Sequence, residues 1–261
     1  MNKAAGKVWF IGAGPGDPDL VTVKGRRLIE QADLVLYAGS LVPKALVACA
    51  RSDAAVHDSA AMTLAESHAL MRNAAQKGAL VARVHTGDPM LYGAVREQMA
   101  LLKKDGIAYE VVPGVSVVFA AAAAAGVSLT VPDAVQSLAI TRLAGRTPVP
   151  EGQRVADYAA HGASLAVYLS GAMPKALAEE LRAANVAEDC PVLMAYKVGW
   201  PDEKLLWTTL ERLAHDAKNA GFGRQVLYLV LPGENTAAAQ SKLYDPTFEH
   251  GFRTAESTKN E

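Results

Sequence analysis

Lys7-Val8-Trp9-Phe10-Ile11-Gly12-Ala13-Gly14-Pro15-Gly16-Asp17-Pro18 sets the class of the fold. The apolar run Lys7–Ile11 reads as a buried strand, and the glycine-rich continuation as a loop at its carboxyl end. A dinucleotide-binding fingerprint needs Gly-x-Gly-x-x-Gly opening a helix, with an acid about 20 residues later. Gly12 and Gly14 match it, but Asp17 stands at the third glycine position. Pro15 and Pro18 lack the N–H groups that a pyrophosphate would take. A second strand, Leu34–Tyr37, ends without an acid at its tip. The loop therefore reads as facing a substrate. A structural tight turn and a nucleotide-dependent oxidoreductase are the alternatives.

Outward from this loop, helix and strand patterns alternate. Helical periodicity runs from Leu20 to Ala32, and Leu34–Tyr37 is the strand after it. Thr63 and Glu66 form a T-x-x-E capping box ahead of another helix. Leu80–Val84 is a strand closed by His85-Thr86-Gly87-Asp88-Pro89, Leu91–Lys103 is helical, and Tyr109–Val112 is a strand stopped by Pro113-Gly114. This alternation predicts an α/β fold with a mostly parallel sheet covered on both faces. The Val115–Val131 run reads as an alanine-rich helix over Val115–Ala125, then a strand. Further strands are expected at Ser137–Thr141, Ser164–Leu169, Pro191–Tyr196, Leu205–Thr209 and Gln225–Leu231, with helices near Gln153–Ala160, Pro174–Ala184 and Leu210–Ala220. Periodicity is lost after Gly233. The expected division is an α/β domain over 1–114, a second over 115–234 and a C-terminal extension over 235–261.

Bulk composition bounds the function. The 261 residues are 51% hydrophobic and 20% charged, as in a globular chain. A net charge of -1 gives no basic excess for a nucleic-acid surface. The Val115–Val131 run is broken by Ser116, Gly126, Ser128 and Thr130, and falls short of the about 20 strongly apolar residues of a membrane span. With no signal-peptide pattern, the chain reads as cytoplasmic. Cys49 and Cys190 lie far apart and read as reduced thiols, and no metal-ligand spacing surrounds His85 or any other histidine. Nor is there a nucleophile-plus-base pattern.

Two strand-end turns carry the remaining chemistry. In Thr86-Gly87-Asp88-Pro89 the glycine admits a ligand close to the backbone. Asp88 is either a ligand acceptor or a helix N-cap. Pro113-Gly114-Val115-Ser116 has the same form, with Ser116 as either a cap or part of a cleft lining.

Taken in order, Gly12 to Leu20 followed by Thr22-Val23-Lys24-Gly25, then Gly87-Asp88-Pro89, then Pro113-Gly114-Val115-Ser116 resemble the tetrapyrrole (class III) methyltransferases. The match runs from about Lys7 to Leu231. Leu36 to Val42, Gln136-Ser137 through Thr141-Arg142, Gly145 to Pro150, and Trp200-Pro201-Asp202-Glu203 resemble the subfamily acting on carbon-11 of precorrin-4 or cobalt-precorrin-4. The resemblance implies a homodimer of two-domain α/β chains, with S-adenosylmethionine in a cleft between the domains and S-adenosylhomocysteine as product. By position, Pro15, Thr86, Gly87, Asp88, Leu91, Ser116, Val117, Leu169, Tyr196 and Val198 would line the cofactor. Gly14, Gly16, Asp17, Lys24 and Arg142 would face the tetrapyrrole, with Arg26 and Arg146 as further partners for its carboxylates. Asp17 is the one candidate for a catalytic role, beside a turn-stabilising one. A carrier that keeps the fold without the reaction is a third functional alternative.

Overall fold

The computed structural model describes residues 6–236 and 241–254. The chain forms two compact units, Met1–Ala124 with Lys197–Lys204, and Ala125–Tyr196 with Leu205–Glu261. Among the described residues no helix is long and apolar enough to cross a membrane.

The first unit is built on five strands, β1 (Lys7–Gly12), β2 (Leu34–Tyr37), β3 (Ala55–Asp58), β4 (Leu80–His85) and β5 (Ala108–Val112), in the order β3-β2-β4-β1-β5. Every pairing in it is parallel. Its helices are α1 (Val23–Gln31), α2 (Lys44–Val47), α3 (Leu64–Gln76), α4 (Arg96–Lys104) and α5 (Val117–Ala125). Ile11, Val35, Ala82 and Val84 pack with Leu28, Ile29, Leu46 and Val47 of α1 and α2. On the opposite face Val8, Phe10, Leu34, Leu36 and Val81 pack with Met71 and Leu102 of α3 and α4. Burial on both faces explains why the central strands read as continuous apolar runs. Parallel pairing also puts every strand's carboxyl end at one edge, so the turns after β1, β4 and β5 are neighbours.

The second unit has strands β6 (Leu138–Arg142), β7 (Ser164–Tyr168), β8 (Pro191–Tyr196), β9 (Lys204–Thr209) and β10 (Val226–Val230), in the order β6-β7-β10-β8-β9. β6 and β7 are parallel, whereas β10 runs antiparallel to both β7 and β8. Helices α6 (Val155–Ala159), α7 (Pro174–Ala183) and α8 (Leu213–Ala220) share a core with the sheet through Val155, Leu177, Leu181, Val192, Met194, Leu213 and Tyr228. The Tyr228 hydroxyl donates to the Gly171 carbonyl at 2.9 Å, which satisfies a fully buried phenol.

Three expected elements differ. The helix drawn over Leu20–Ala32 starts at Val23, because the Thr22 hydroxyl accepts from Gly25 N and Pro18–Leu20 forms a separate 3-10 turn. The helix drawn over Leu91–Lys103 starts only at Arg96, since Tyr92 and Ala94 sit at φ +54° and +49°, outside helical space. The strand drawn after Val115–Ala125 is reduced to an isolated bridge between Val131 and Val135. The capping box is present, with Thr63 N donating to Glu66 and Glu66 N donating back to the Thr63 hydroxyl.

Candidate functional site

Three turns meet at the carboxyl edge of the first sheet, and glycine is what lets them meet. Gly14 and Gly87 pair backbone to backbone, with Gly87 N donating to Gly14 O at 2.7 Å and Gly14 N returning to Gly87 O at 3.3 Å. Both have positive φ, +77° and +58°. Behind them Gly12 lies against Gly114. A Cβ on Gly12 would fall 2.5 Å from the Gly114 Cα and 2.7 Å from the Gly87 carbonyl oxygen. No side chain fits there, so the three glycines bind the turns into one surface.

Asp88 fastens the same surface by its carboxylate. Oδ1 accepts from Met90 N at 2.8 Å and Oδ2 from Gly114 N at 2.9 Å. It is not the N-cap of α4, a position held by Val95 without a side-chain bond. The carboxylate instead ties the turn after β4 to the turn after β5. Thr86 precedes this cross-link, Leu91 N donates to the Asp88 carbonyl, and Ser116 is buried where α5 begins, one residue before Val117.

Space is left over Gly87. A Cβ built there would meet nothing nearer than the Ser116 Cα at 3.9 Å. That is room for a ligand to approach the backbone, bordered by a glycine whose φ disfavours any side chain. His85 ends β4 two residues before Gly87, its Nε2 buried without a partner among the described residues and its pKa pushed down to about 3, by burial first and then by the charge of Arg83. The imidazole is therefore neutral at physiological pH. Arg83 is itself buried, its pKa lowered to about 10 by desolvation, and it donates to Leu36 O, Ser59 Oγ and Gln98 Oε1.

The glycine-rich loop continues through Pro15 and Gly16, both buried, to Asp17. Asp17 Oδ1 accepts from Asp19 N at 2.9 Å, closing the turn before Leu20. Asp17 also borders a cavity of about 360 Å³ with Leu20, Val115, Phe119, Val198 and Glu203, in which Phe119 is 56% exposed. Lys24 is exposed, with a long 3.9 Å ion pair to Glu110, and Arg26 pairs with Glu30 one turn further along α1.

The structure thus brings Gly14, Pro15, Gly16, Asp17, Thr86, Gly87, Asp88, Leu91, Ser116, Val117 and Val198 into the first unit, while Leu169, Tyr196 and Arg142 belong to the second. Leu169 follows β7 at φ +53° and is 70% exposed, an unusual backbone for a bulky residue. The Tyr196 ring stacks on Phe222 at 4.7 Å. Arg142 donates to the carbonyls of Leu143, Thr147 and Pro148, so its guanidinium organises the Gly145–Pro150 loop, on which Arg146 is exposed. Sequence reading did not anticipate the Gly12–Gly114 contact. It also missed the reach of Trp200 to Pro15, because that contact spans 185 residues. The Trp200-Pro201 segment was the available signal.

Residues 7–214 match the family model of tetrapyrrole (corrin/porphyrin) methylases. A cobalt-precorrin-4 C(11)-methyltransferase of Priestia megaterium is 47% identical, over 95% of this chain and 97% of that protein. A precorrin-4 C(11)-methyltransferase of Pseudomonas aeruginosa is 44% identical, over 95% and 99%. The crystal structure of a cobalt precorrin-4 methyltransferase, a cobalamin biosynthetic enzyme, superposes with TM-score 0.84 at 48% identity, covering 86% of this chain and 94% of that one. Uroporphyrin-III C-methyltransferase of Thermus thermophilus, complexed with S-adenosylhomocysteine, superposes with TM-score 0.71 at 26% identity, covering 86% and 91%. With its turns, its two mixed α/β units and this likeness along nearly its whole length, the chain belongs to the tetrapyrrole methylases.

Proposed function

We propose that this protein transfers a methyl group from S-adenosylmethionine to carbon-11 of precorrin-4 or cobalt-precorrin-4, in cobalamin synthesis. The observation that carries the reading is the surface made by Gly14, Gly87, Gly114 and Asp88, in a chain so similar to relatives named for that reaction.

The residues present fit the cofactor. The open space over Gly87, bordered by Ser116 and rigidly backed by the glycine contacts, suits a ligand held largely by backbone groups. Thr86, Gly87, Leu91, Ser116 and Val117 would hold it, with Asp88 fixing the two turns rather than offering a free carboxylate. When bound, S-adenosylmethionine supplies an electrophilic methyl group. The protein's part is to orient the acceptor carbon in line and to exclude water, which needs no covalent nucleophile. Asp17, at the rim of the Leu20–Phe119 cavity, faces the tetrapyrrole in this reading. Its turn leaves Oδ2 for an acidic N–H or a departing proton. Lys24 is the first unit's cation for a peripheral carboxylate and Arg142 the second's, while Leu169 and Tyr196 are the second unit's candidates for the cofactor. The enzyme would act in the cytoplasm as a homodimer.

Calorimetric titration with S-adenosylhomocysteine and with NAD(P) tests the ligand class. Binding of the first at micromolar or tighter Kd, with none of the second, is expected. The reverse preference would return the Gly12 loop to an oxidoreductase.

A further inference from the structure

We propose that Trp200 is a positioning residue that clamps the glycine-rich loop and thereby holds Asp17 at the tetrapyrrole; this rests on the reading that the loop faces that substrate. Three contacts join the Lys197–Lys204 segment to the loop inside the first unit. Trp200 Nε1 donates to the Pro15 carbonyl at 3.2 Å. The indole edge lies so close over Gly16 that a Cβ there would fall 2.6 Å from Nε1. Gly199, at φ +79°, brings its backbone onto Asp17, where a Cβ would fall 2.6 Å from the Asp17 amide nitrogen.

The clamp is rigid in its own right. Trp200 N donates to Lys197 O and Glu203 N to Trp200 O, each at 3.0 Å. Glu203 accepts from Gly199 N at 2.6 Å, and Lys197 pairs with Asp202 at 2.6 Å. Lys197 itself is held at φ +47°. Loop and clamp then border the same cavity, Asp17 and Leu20 from the loop, and Val198, Gly199 and Glu203 from the clamp.

The loop needs such support for a stated reason. Pro15 and Pro18 cannot donate backbone hydrogen bonds, and Gly14 and Gly16 bring no side chains to pack. One end of the loop is fixed by the Gly14–Gly87 pairing and the other by the Asp17 turn. Trp200 fixes the Pro15-Gly16 step between them. It touches the loop's backbone, not the reacting atoms, so its removal loosens Asp17 while leaving the surface around Gly87 in place.

The test compares W200A, W200F, G16A and the W200A/G16A double variant with the wild type. Expected for W200A is a fall of about tenfold or more in kcat/KM for the tetrapyrrole, with S-adenosylhomocysteine Kd within about threefold and Tm within a few degrees. W200F, which keeps a ring but loses the N–H donor, recovers part of the loss. G16A falls at least as far as W200A, because its Cβ meets the indole and also the Val198 carbonyl at 2.8 Å, and the double variant loses less than the two single losses combined, because they share the indole contact. Wild-type turnover in W200A, a parallel loss of S-adenosylhomocysteine affinity, or no recovery in W200F overturns the proposal. If W200A does not fold, W200F decides: a several-fold loss in kcat/KM at unchanged S-adenosylhomocysteine affinity supports it, and wild-type turnover overturns it. Should the wild type methylate neither precorrin, the functional reading fails separately. Hydrogen exchange of a peptide spanning Gly12–Val21 then decides the clamp, faster exchange in W200F supporting it and unchanged exchange overturning it.

Discussion

The Gly114 amide donates to Asp88 Oδ2 at 2.9 Å, and through that bond the turns after two parallel strands become one surface. The same carboxylate's other oxygen takes the Met90 amide, so a single aspartate satisfies donors on both turns. Replacing Asp88 by Ala strands both amides, at a cost of about 1–3 kcal/mol each at most where they are dry. Calorimetry should show S-adenosylhomocysteine Kd raised about tenfold or more, with the fold retained and Tm lowered by several degrees. Unchanged affinity would reduce Asp88 to a turn residue with no bearing on the cofactor.

The glycines should separate by what stands over them. Gly114→Ala forces a Cβ onto Gly12 and the Gly87 carbonyl, so it should destabilise the protein by several kcal/mol or prevent folding. Gly87→Ala meets open space, and only its φ of +58° opposes it, for about 1–2 kcal/mol. Gly87→Val should add loss of ligand affinity beyond the alanine variant, because the larger side chain fills the approach. Thermal melts with and without S-adenosylhomocysteine distinguish these effects.

His85 makes stability depend on pH in one direction. Its folded pKa, about 3, lies below its ordinary value of 6.5, so below that value the unfolded chain binds the extra proton. Stability therefore falls as pH drops from about 6.5, by at most about 1.4 kcal/mol per unit for this one group. Urea unfolding between pH 7 and 5 should show that slope, and His85→Gln should flatten it. A slope unaltered in the variant would mean that His85 is protonated in the fold.

Arg83 braces strand β2, the turn after β3 and helix α4 through Leu36, Ser59 and Gln98. Arg83→Met keeps most of the bulk but leaves these acceptors without their buried donor. A loss of roughly 2–3 kcal/mol in urea unfolding is expected. A variant as stable as wild type would show that water replaces the guanidinium.

Much of this arrangement was legible in the sequence, for identifiable reasons. Strands β1, β2 and β4 are buried on both faces, so their apolar runs stand out, and the Thr63–Glu66 box announces α3. Strand β3 was missed because all four of its residues, Ala55 to Asp58, are exposed at the sheet edge and carry no burial pattern. The segment Leu91–Val95 looked helical because apolar spacing does not reveal the positive φ of Tyr92 and Ala94. At the site, the turn motifs could be read singly. Their meeting at Gly12, Gly87 and Gly114 could not, since it depends on strand order, and Trp200 reaches Pro15 across most of the chain.

Methylation at carbon-11 is the activity proposed for this protein. Incubating the protein with methyl-labelled S-adenosylmethionine and precorrin-4, with and without cobalt, and locating the new methyl by mass and NMR tests it directly. One added methyl at carbon-11, with S-adenosylhomocysteine released in equal amount, is the predicted result; a methyl at another ring position, or none with either substrate, would contradict it.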